Sequence, residues 1–234
     1  MAYWIVKISC WPLFHLLSRL RIEGRHNVPS SGAAVIAANH QSFCDSLFLP
    51  IAVRRRVTFL AKAEYFDAKR TAWFFRALGQ IPIQRDGGDA SARALATARG
   101  VLKEGKLIVL YPEGTRSKDG NVHRGRTGVA RLALECRVPV VPVGISGTER
   151  VQPIGSRWFR PFRPVRLRFG PPMTFDAAAL VDAETGRTSS ERLRSFTGEL
   201  MAEISRLADR PYVDEMVQAG ASVIDVGPVE ASAS

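Results

Sequence analysis

The stretch Ala33-Ala34-Val35-Ile36-Ala37-Ala38-Asn39-His40-Gln41-Ser42-Phe43-Cys44-Asp45 decides how this chain is read. Its first six residues form an apolar run with the length and punctuation of a buried strand, and Leu47-Phe48-Leu49 to Ile51 beyond it suits a short helix. His40 therefore belongs at a strand-to-helix junction. On a regular helix the five-residue spacing to Asp45 would turn the two side chains roughly 140° apart. The pair meets only if His40 sits in the turn and Asp45 on the first turns of the helix. So placed, the carboxylate accepts a hydrogen bond from one imidazole nitrogen and fixes the tautomer, and the other nitrogen can take a proton from a hydroxyl. An N-cap with a solvated polar contact would use the same residues. His40 and Cys44 also have the spacing of a zinc pair, but such a site needs three or four protein ligands, and His15, His26, His123, Cys10 and Cys136 form no cluster. No metal is expected.

Outward from this junction the same pattern repeats. Arg21 to Glu23 reads as a short strand, and Val57-Thr58-Phe59-Leu60-Ala61 as another with Lys62 at its end, a candidate phosphate or headgroup contact. Pro50 marks a kink or end of the helix between them. Ile81 and Ile83 alternate as a strand would, and Arg85 leaves that strand placed to take a phosphate bidentately. Asp89 to Lys103 is an alanine-rich helix with Leu95, Ala98 and Leu102 on one face and Gly105 as its stop. Leu107-Ile108-Val109-Leu110 is the clearest buried strand and runs into Tyr111-Pro112-Glu113-Gly114-Thr115-Arg116-Ser117. There Gly114 allows a tight turn and close backbone approach, Arg116 offers a fork for phosphate oxygens, and Glu113 can accept from a hydroxyl or hold an arginine. His40, Arg85 and this turn each follow a predicted strand, and the strand ends of an open α/β sheet are where ligands bind. Val165 to Phe169 is a last strand. Thr188-x-x-Glu191 is a capping box opening a helix whose Leu193, Phe196, Leu200, Ile204 and Leu207 recur at core spacing.

A chain of 234 residues with 46% hydrophobic content suits one α/β domain, a mixed, mostly parallel sheet flanked by helices. We place it over residues 21–219, between a membrane-interface segment at 1–20 and a disordered tail at 220–234. Three cysteines without framework spacing argue for a reducing compartment. Net charge is +11, yet residues 1–175 carry +17 and residues 176–234 carry −6. A basic body attracts polyanions, whether nucleic acid, an anionic leaflet or phosphorylated small molecules. The first twenty residues choose among them. Tyr3, Trp4, Ile5, Ile8, Trp11, Phe14 and Leu16 make an aromatic-rich apolar segment that is broken by Pro12 and too short to span a bilayer, so an interfacial helix is expected, with a helix packed on the core as the alternative. Arg157-Trp158-Phe159-Arg160-Pro161-Phe162-Arg163 interleaves arginines with aromatics; single-stranded nucleic acid would suit it, but a membrane-facing loop also accounts for the N-terminus. No nucleic-acid partner is expected. Gly144-Ile145-Ser146-Gly147-Thr148 lacks the second glycine of a G-x-S-x-G nucleophile elbow, which leaves Ser146 as a turn residue.

Together these segments resemble the glycerolipid acyltransferase family, the group that includes 1-acylglycerol-3-phosphate acyltransferases. Asn39 to Asp45 matches its NHxxxxD block, Gly79 to Arg85 its glycine, apolar pair and arginine, Tyr111 to Ser117 its FPEGTRS block with tyrosine first, and Val138-Pro139-Val140-Val141-Pro142-Val143 its proline-interrupted strand. The resemblance implies His40 as base and Asp45 as its orienter. It implies Arg85, Glu113 and Arg116 around the phosphate and glycerol of an acceptor and Pro142 shaping the acyl site; Gly114 and Thr115 of the same turn, and Lys62 from its place at a strand end, join them as candidate substrate contacts. It further implies a peripheral or monotopic enzyme on the cytoplasmic membrane face, with membrane lipids as partners and acyl-CoA or acyl-carrier protein as co-substrate but no resident cofactor. A thioester brings its own activated carbonyl, so the protein need only deprotonate an alcohol and stabilise an oxyanion, for which backbone N–H groups at the His40 turn or near Gly144 are candidates.

Overall fold

The computed structural model describes residues 2–67, 69–84, 89–156, 158–175 and 189–217. Among them run helices α1 (Ala2–Ser18), α2 (Asp45–Ala52), α3 (Lys69–Ala77), α4 (Ala90–Lys103), α5 (Gly128–Cys136), α6 (Thr148–Val151) and α7 (Ser190–Ala208). The strands are β1 (Arg21–Glu23), β2 (Ala34–Ala38), β3 (Val57–Lys62), β4 (Gln80–Ile83), β5 (Leu107–Leu110), β6 (Val122–His123), β7 (Val140–Ser146), β8 (Arg166–Phe169) and β9 (Tyr212–Val213). Seven of them form one sheet in the order β1-β8-β7-β2-β5-β3-β4, while β6 and β9 pair apart from it. Every pairing in the large sheet is parallel except β7 with β8. This is the mixed, mostly parallel α/β sheet read from the sequence.

β2 lies at the centre, and all five of its residues are buried. Ala34, Ile36 and Ala38 face the cluster built with α2, whereas Val35 and Ala37 face α4, α5 and α7. A strand covered on both faces has no reason to alternate polar with apolar, which is why it reads as one apolar run. The helix over residues 190–208 packs as its spacing predicts, with Leu193, Phe196, Leu200, Ile204 and Leu207 buried. Its N-cap is Ser189, whose side chain accepts from the Arg192 N–H. Thr188, read as the capping residue, lies outside the described residues, as does the tail 220–234.

Two prolines depart from their expected role as breakers. Pro50 sits inside α2 two residues before its end, and Pro12 sits inside α1. A proline inside a helix removes one backbone bond and crowds the preceding turn. In α1 the contacts on both sides of Pro12 offset that cost. The buried Lys7 ammonium donates to the Val53 carbonyl, Tyr3 Oη accepts from Val57 N–H at 3.3 Å, and the Phe14 ring meets Phe48 edge-on at 4.8 Å. Burial brings the Lys7 ammonium down to about 8. Residues 2–18 are therefore a helix docked on the core along one side. Its other side leaves Trp4, Ile5, Ile8, Trp11 and Leu16 exposed.

α7 approaches the sheet closely because Gly144 in β7 has no side chain. A Cβ there would stand 2.1 Å from both Ala208 N and the Leu207 carbonyl carbon. Replacing Gly144 with Ala must push α7 away from β7, and urea unfolding is expected to show a loss of about 3 kcal/mol.

Candidate active site

β2 ends at Ala38 and the chain turns over the rim of the sheet before α2 begins at Asp45. Asn39 pins this turn to the neighbouring strand: its Nδ2 donates to the Ile145 carbonyl at 2.9 Å and its Oδ1 accepts from Ile145 N–H at 2.7 Å. Asp45 is fully buried at the start of α2. Its Oδ2 accepts from His40 Nδ1 at 2.8 Å, Gln41 N–H at 2.7 Å and Ser42 N–H at 2.9 Å. An ionised carboxylate can only accept, so the bond to His40 places the imidazole proton on Nδ1 and the basic lone pair on Nε2. The His40 ring stacks on Tyr111 with centroids 3.9 Å apart and planes 10° from parallel, and Tyr111 Oη lies 3.2 Å from Ser46 Oγ.

The turn after β5 is latched to this one. Glu113 Oε2 accepts from His40 N–H at 2.8 Å, its Oε1 accepts from His123 N–H at 2.9 Å, and Ser117 N–H donates to the His40 carbonyl at 2.8 Å. Both oxygens of Glu113 are thus engaged by backbone, and the side chain is 1% exposed. Glu113 braces the two loops and is not presented to a substrate, contrary to the sequence reading. The oxyanion expectation also changes, because the N–H groups of His40, Gln41 and Ser42 are taken by Glu113 and Asp45. Gly144 sits inside the sheet facing α7.

A cavity of about 140 Å³ opens beside His40, with Lys62, Thr115 and Arg116 on its wall. Arg116 is half-buried and makes no hydrogen bond or ion pair with any described residue. Lys62 Nζ stands 3.3 Å from Glu64 Oε1. Gly114, at φ 78°, lets the turn close; a Cβ there would meet the Arg126 guanidinium at 3.0 Å. Arg85 lies outside the described residues. Pro142 is buried on the opposite face, where its ring packs near Gly170, and it lines neither this cavity nor the next. A second cavity, of about 670 Å³, is almost wholly apolar and is walled by Phe14, Leu47, Phe48, Phe74, Val151 and Phe159. Phe43 lines both. Sequence reasoning missed Phe43, Ser46, Tyr111 and Gln80 as site residues. Gln80 is 6% exposed on the wall of the smaller cavity, and its Nε2 meets no acceptor among the described residues. Its only signal was a polar residue opening a strand behind Gly79. Among the described residues no group of three His, Cys, Asp or Glu side chains converges as metal ligands.

Burial pushes the Glu113 carboxyl up to about 7, a rise that the two backbone N–H bonds only partly offset. A carboxyl raised on folding binds its proton more tightly in the native state, so its contribution to stability is greatest at low pH and is lost as pH rises from the ordinary carboxylate range through about 7. Urea unfolding of wild type and Glu113→Gln at pH 5 and pH 8 should show the wild type losing more stability between the two.

A family model described as Acyltransferase matches residues 19–146 of this chain. The chloroplastic 1-acyl-sn-glycerol-3-phosphate acyltransferase LPAT1 of Arabidopsis thaliana is 33% identical over 150 residues, 64% of this chain and 41% of the plant protein. The chloroplastic BAT2 enzyme of Brassica napus is 29% identical over 80% of this chain and 53% of its own length. The chain thus spans about half the length of these plant relatives. The 1-acyl-sn-glycerol-3-phosphate acyltransferase of Bacillus subtilis is 26% identical over 85% of this chain and 92% of its own. Among solved structures, the crystal structure of the 1-acyl-sn-glycerophosphate acyltransferase PlsC from Thermotoga maritima superposes with a TM-score of 0.62 at 28% identity, covering 86% of this chain and 75% of that one. The family match runs over more than half of the chain and contains the His40 and Glu113 loops, and this chain belongs to the acyltransferase family.

Proposed function

We propose that this protein transfers a fatty acyl group from a thioester donor, acyl-CoA or acyl-carrier protein, to the free hydroxyl of 1-acylglycerol 3-phosphate, giving phosphatidate. The observation that carries this reading is the His40–Asp45 pair at 2.8 Å beside a cavity whose wall holds Arg116, which has no partner among the described residues. Arg116 and Lys62 receive the acceptor's phosphate, and the hydroxyl comes within reach of His40 Nε2. As the hydroxyl oxygen attacks the thioester carbonyl, Nε2 takes its proton and Asp45 stabilises the imidazolium that forms. Collapse of the tetrahedral intermediate expels the thiolate, which receives the proton back from Nε2. No acyl-enzyme forms, since no nucleophilic side chain is required. The apolar cavity beyond Phe43 suits the fatty chain, because it offers a hydrocarbon almost no polar surface to desolvate.

The acceptor and product are lipids, and the exposed side chains suit a bilayer. Trp4, Ile5, Ile8, Trp11 and Leu16 of α1 stand out from the surface, as do Trp158, Phe159 and Phe162. Among the described residues no helix is long and apolar enough to cross a membrane. The exposed aromatic side chains support a chain that lies at the interface, rings at headgroup depth, with its basic body toward the anionic cytoplasmic leaflet.

The test is palmitoyl transfer from CoA and from acyl-carrier protein to lysophosphatidate and to glycerol 3-phosphate. Wild type should turn over lysophosphatidate, and a folded His40→Ala variant should lose on the order of 10²–10⁴ in rate. Turnover within tenfold of wild type in that variant would remove His40 as the base, and turnover of glycerol 3-phosphate alone would reassign the acceptor. Arg116→Ala should raise KM for the acceptor by about tenfold, as expected for a lost charge-assisted phosphate contact, with a smaller effect on kcat.

A further inference from the structure

On the far side of β7 from His40, the same rim of the sheet opens into a cavity of about 540 Å³. β8 runs antiparallel to β7 and parallel to β1, so the start of β1, the start of β8 and the end of β7 lie side by side. Arg21 is opposite Arg166, and Arg166 is opposite Ser146. Arg19, Arg150 and Arg210 complete the wall. Five guanidinium groups from four separate parts of the chain thus converge on one concavity. Carboxylates answer only some of them. Glu149 takes Arg210 and approaches Arg150 at 3.7 Å, and Glu23 takes Arg166 at 3.0 Å. Asp209, also on the wall, reaches Arg168 at 4.0 Å. Arg19 and Arg21 make no side-chain hydrogen bond or ion pair with any described residue. Two forked donors facing a basic concavity are suited to phosphate oxygens.

The surroundings select the kind of phosphate. Arg19 follows α1 directly, and that helix carries the exposed Ile5, Ile8 and Leu16. Pro164 and Val165 on the opposite wall follow the exposed Trp158, Phe159 and Phe162. Two of the segments that lead into the cavity wall thus carry exposed apolar side chains. That arrangement matches a molecule carrying a phosphate and acyl chains together. A soluble anion would need only the arginines. Arg19 also holds a left-handed backbone, φ 44°, at a helix end where glycine is the relaxed choice.

We propose that this cavity is a second phosphate site, separated from the His40 site by β7, and that it holds the headgroup phosphate of an anionic membrane phospholipid. The inference rests on the bilayer-surface reading above. A lipid held there would fix the protein's tilt and bring the rim that carries His40 against the headgroups.

The test compares wild type, Arg19→Gly/Arg21→Gln, and Lys103→Gln/Arg192→Gln, a control that removes the same charge from exposed positions on α4 and α7. Arg19→Gly relaxes the backbone, so the fold is not at risk. Binding is measured to phosphatidylcholine vesicles with and without phosphatidylglycerol, to monomeric dihexanoyl phosphatidylglycerol, and to inorganic phosphate. We expect the site variant to bind phosphatidylglycerol vesicles about tenfold or more weakly than wild type, given about 1 kcal/mol per basic residue near an anionic surface. The control should stay within about twofold, and one-to-one binding of the short-chain lipid should be lost in the site variant alone. Equal losses in the control would overturn the site in favour of diffuse charge. Inorganic phosphate binding as tightly as the short-chain lipid would overturn the lipid assignment. Wild type that binds the monomeric lipid but no vesicle would support the site and sink the bilayer reading instead.

Discussion

A single carboxylate, Asp45, sets the geometry of the working end of this molecule. It is wholly buried, and hydrogen bonds must offset the cost of burying its charge; all of them fall on Oδ2, while Oδ1 meets no partner among the described residues. Here one oxygen collects His40 Nδ1 and two consecutive backbone N–H groups, and its position on the first turn of α2 adds the favourable end of the helix dipole. The consequence is a turn with almost no freedom. His40 is oriented by this acid, and the same acid ties the strand end to the helix start.

The second loop depends on the first. Glu113 reaches from the end of β5 to the His40 N–H, and Ser117 returns a bond to the His40 carbonyl. The two polar blocks of the chain are thus bonded to each other through the Glu113 carboxylate and a backbone pair, and Arg116 is carried to the cavity by that latch. Glu113 and Asp45 are both buried acids, yet they serve different ends. Asp45 holds an imidazole side chain, while Glu113 holds two peptide groups.

The sheet divides the molecule unequally. One face packs against α4, α5 and α7, and Gly144 lets α7 come within backbone contact of β7. The other face carries α1 and α2, the apolar cavity and the exposed aromatic surface. Along the rim, β7 separates the His40 cavity from the arginine-lined one, and Asn39 bridges the strands between them. The proposed lipid-handling reaction would benefit from that division, since the solid face supplies rigidity and the other offers apolar surface.

Much of this was legible in the residues themselves. The apolar run 33–38, the turn 39–44 and the helix after it follow from periodicity and punctuation, which are local properties, and the H-x4-D spacing allowed only one way for the pair to meet. The strands ending at Lys62 and Leu110, and the core face of the final helix, followed from the same rules. What the sequence could not determine were pairings between distant segments. That Glu113 would be consumed by the His40 and His123 N–H groups depends on how β2, β5 and β6 are brought together. The side of the sheet on which Pro142 falls depends on the register of β7 against β2. Arginines at 19, 21, 150, 166 and 210 share a cavity only because β8 reverses direction beside β7. Local pattern specifies elements because each residue's neighbours along the chain are given; it leaves open which elements meet, since that is settled by packing between surfaces that the chain order does not place side by side.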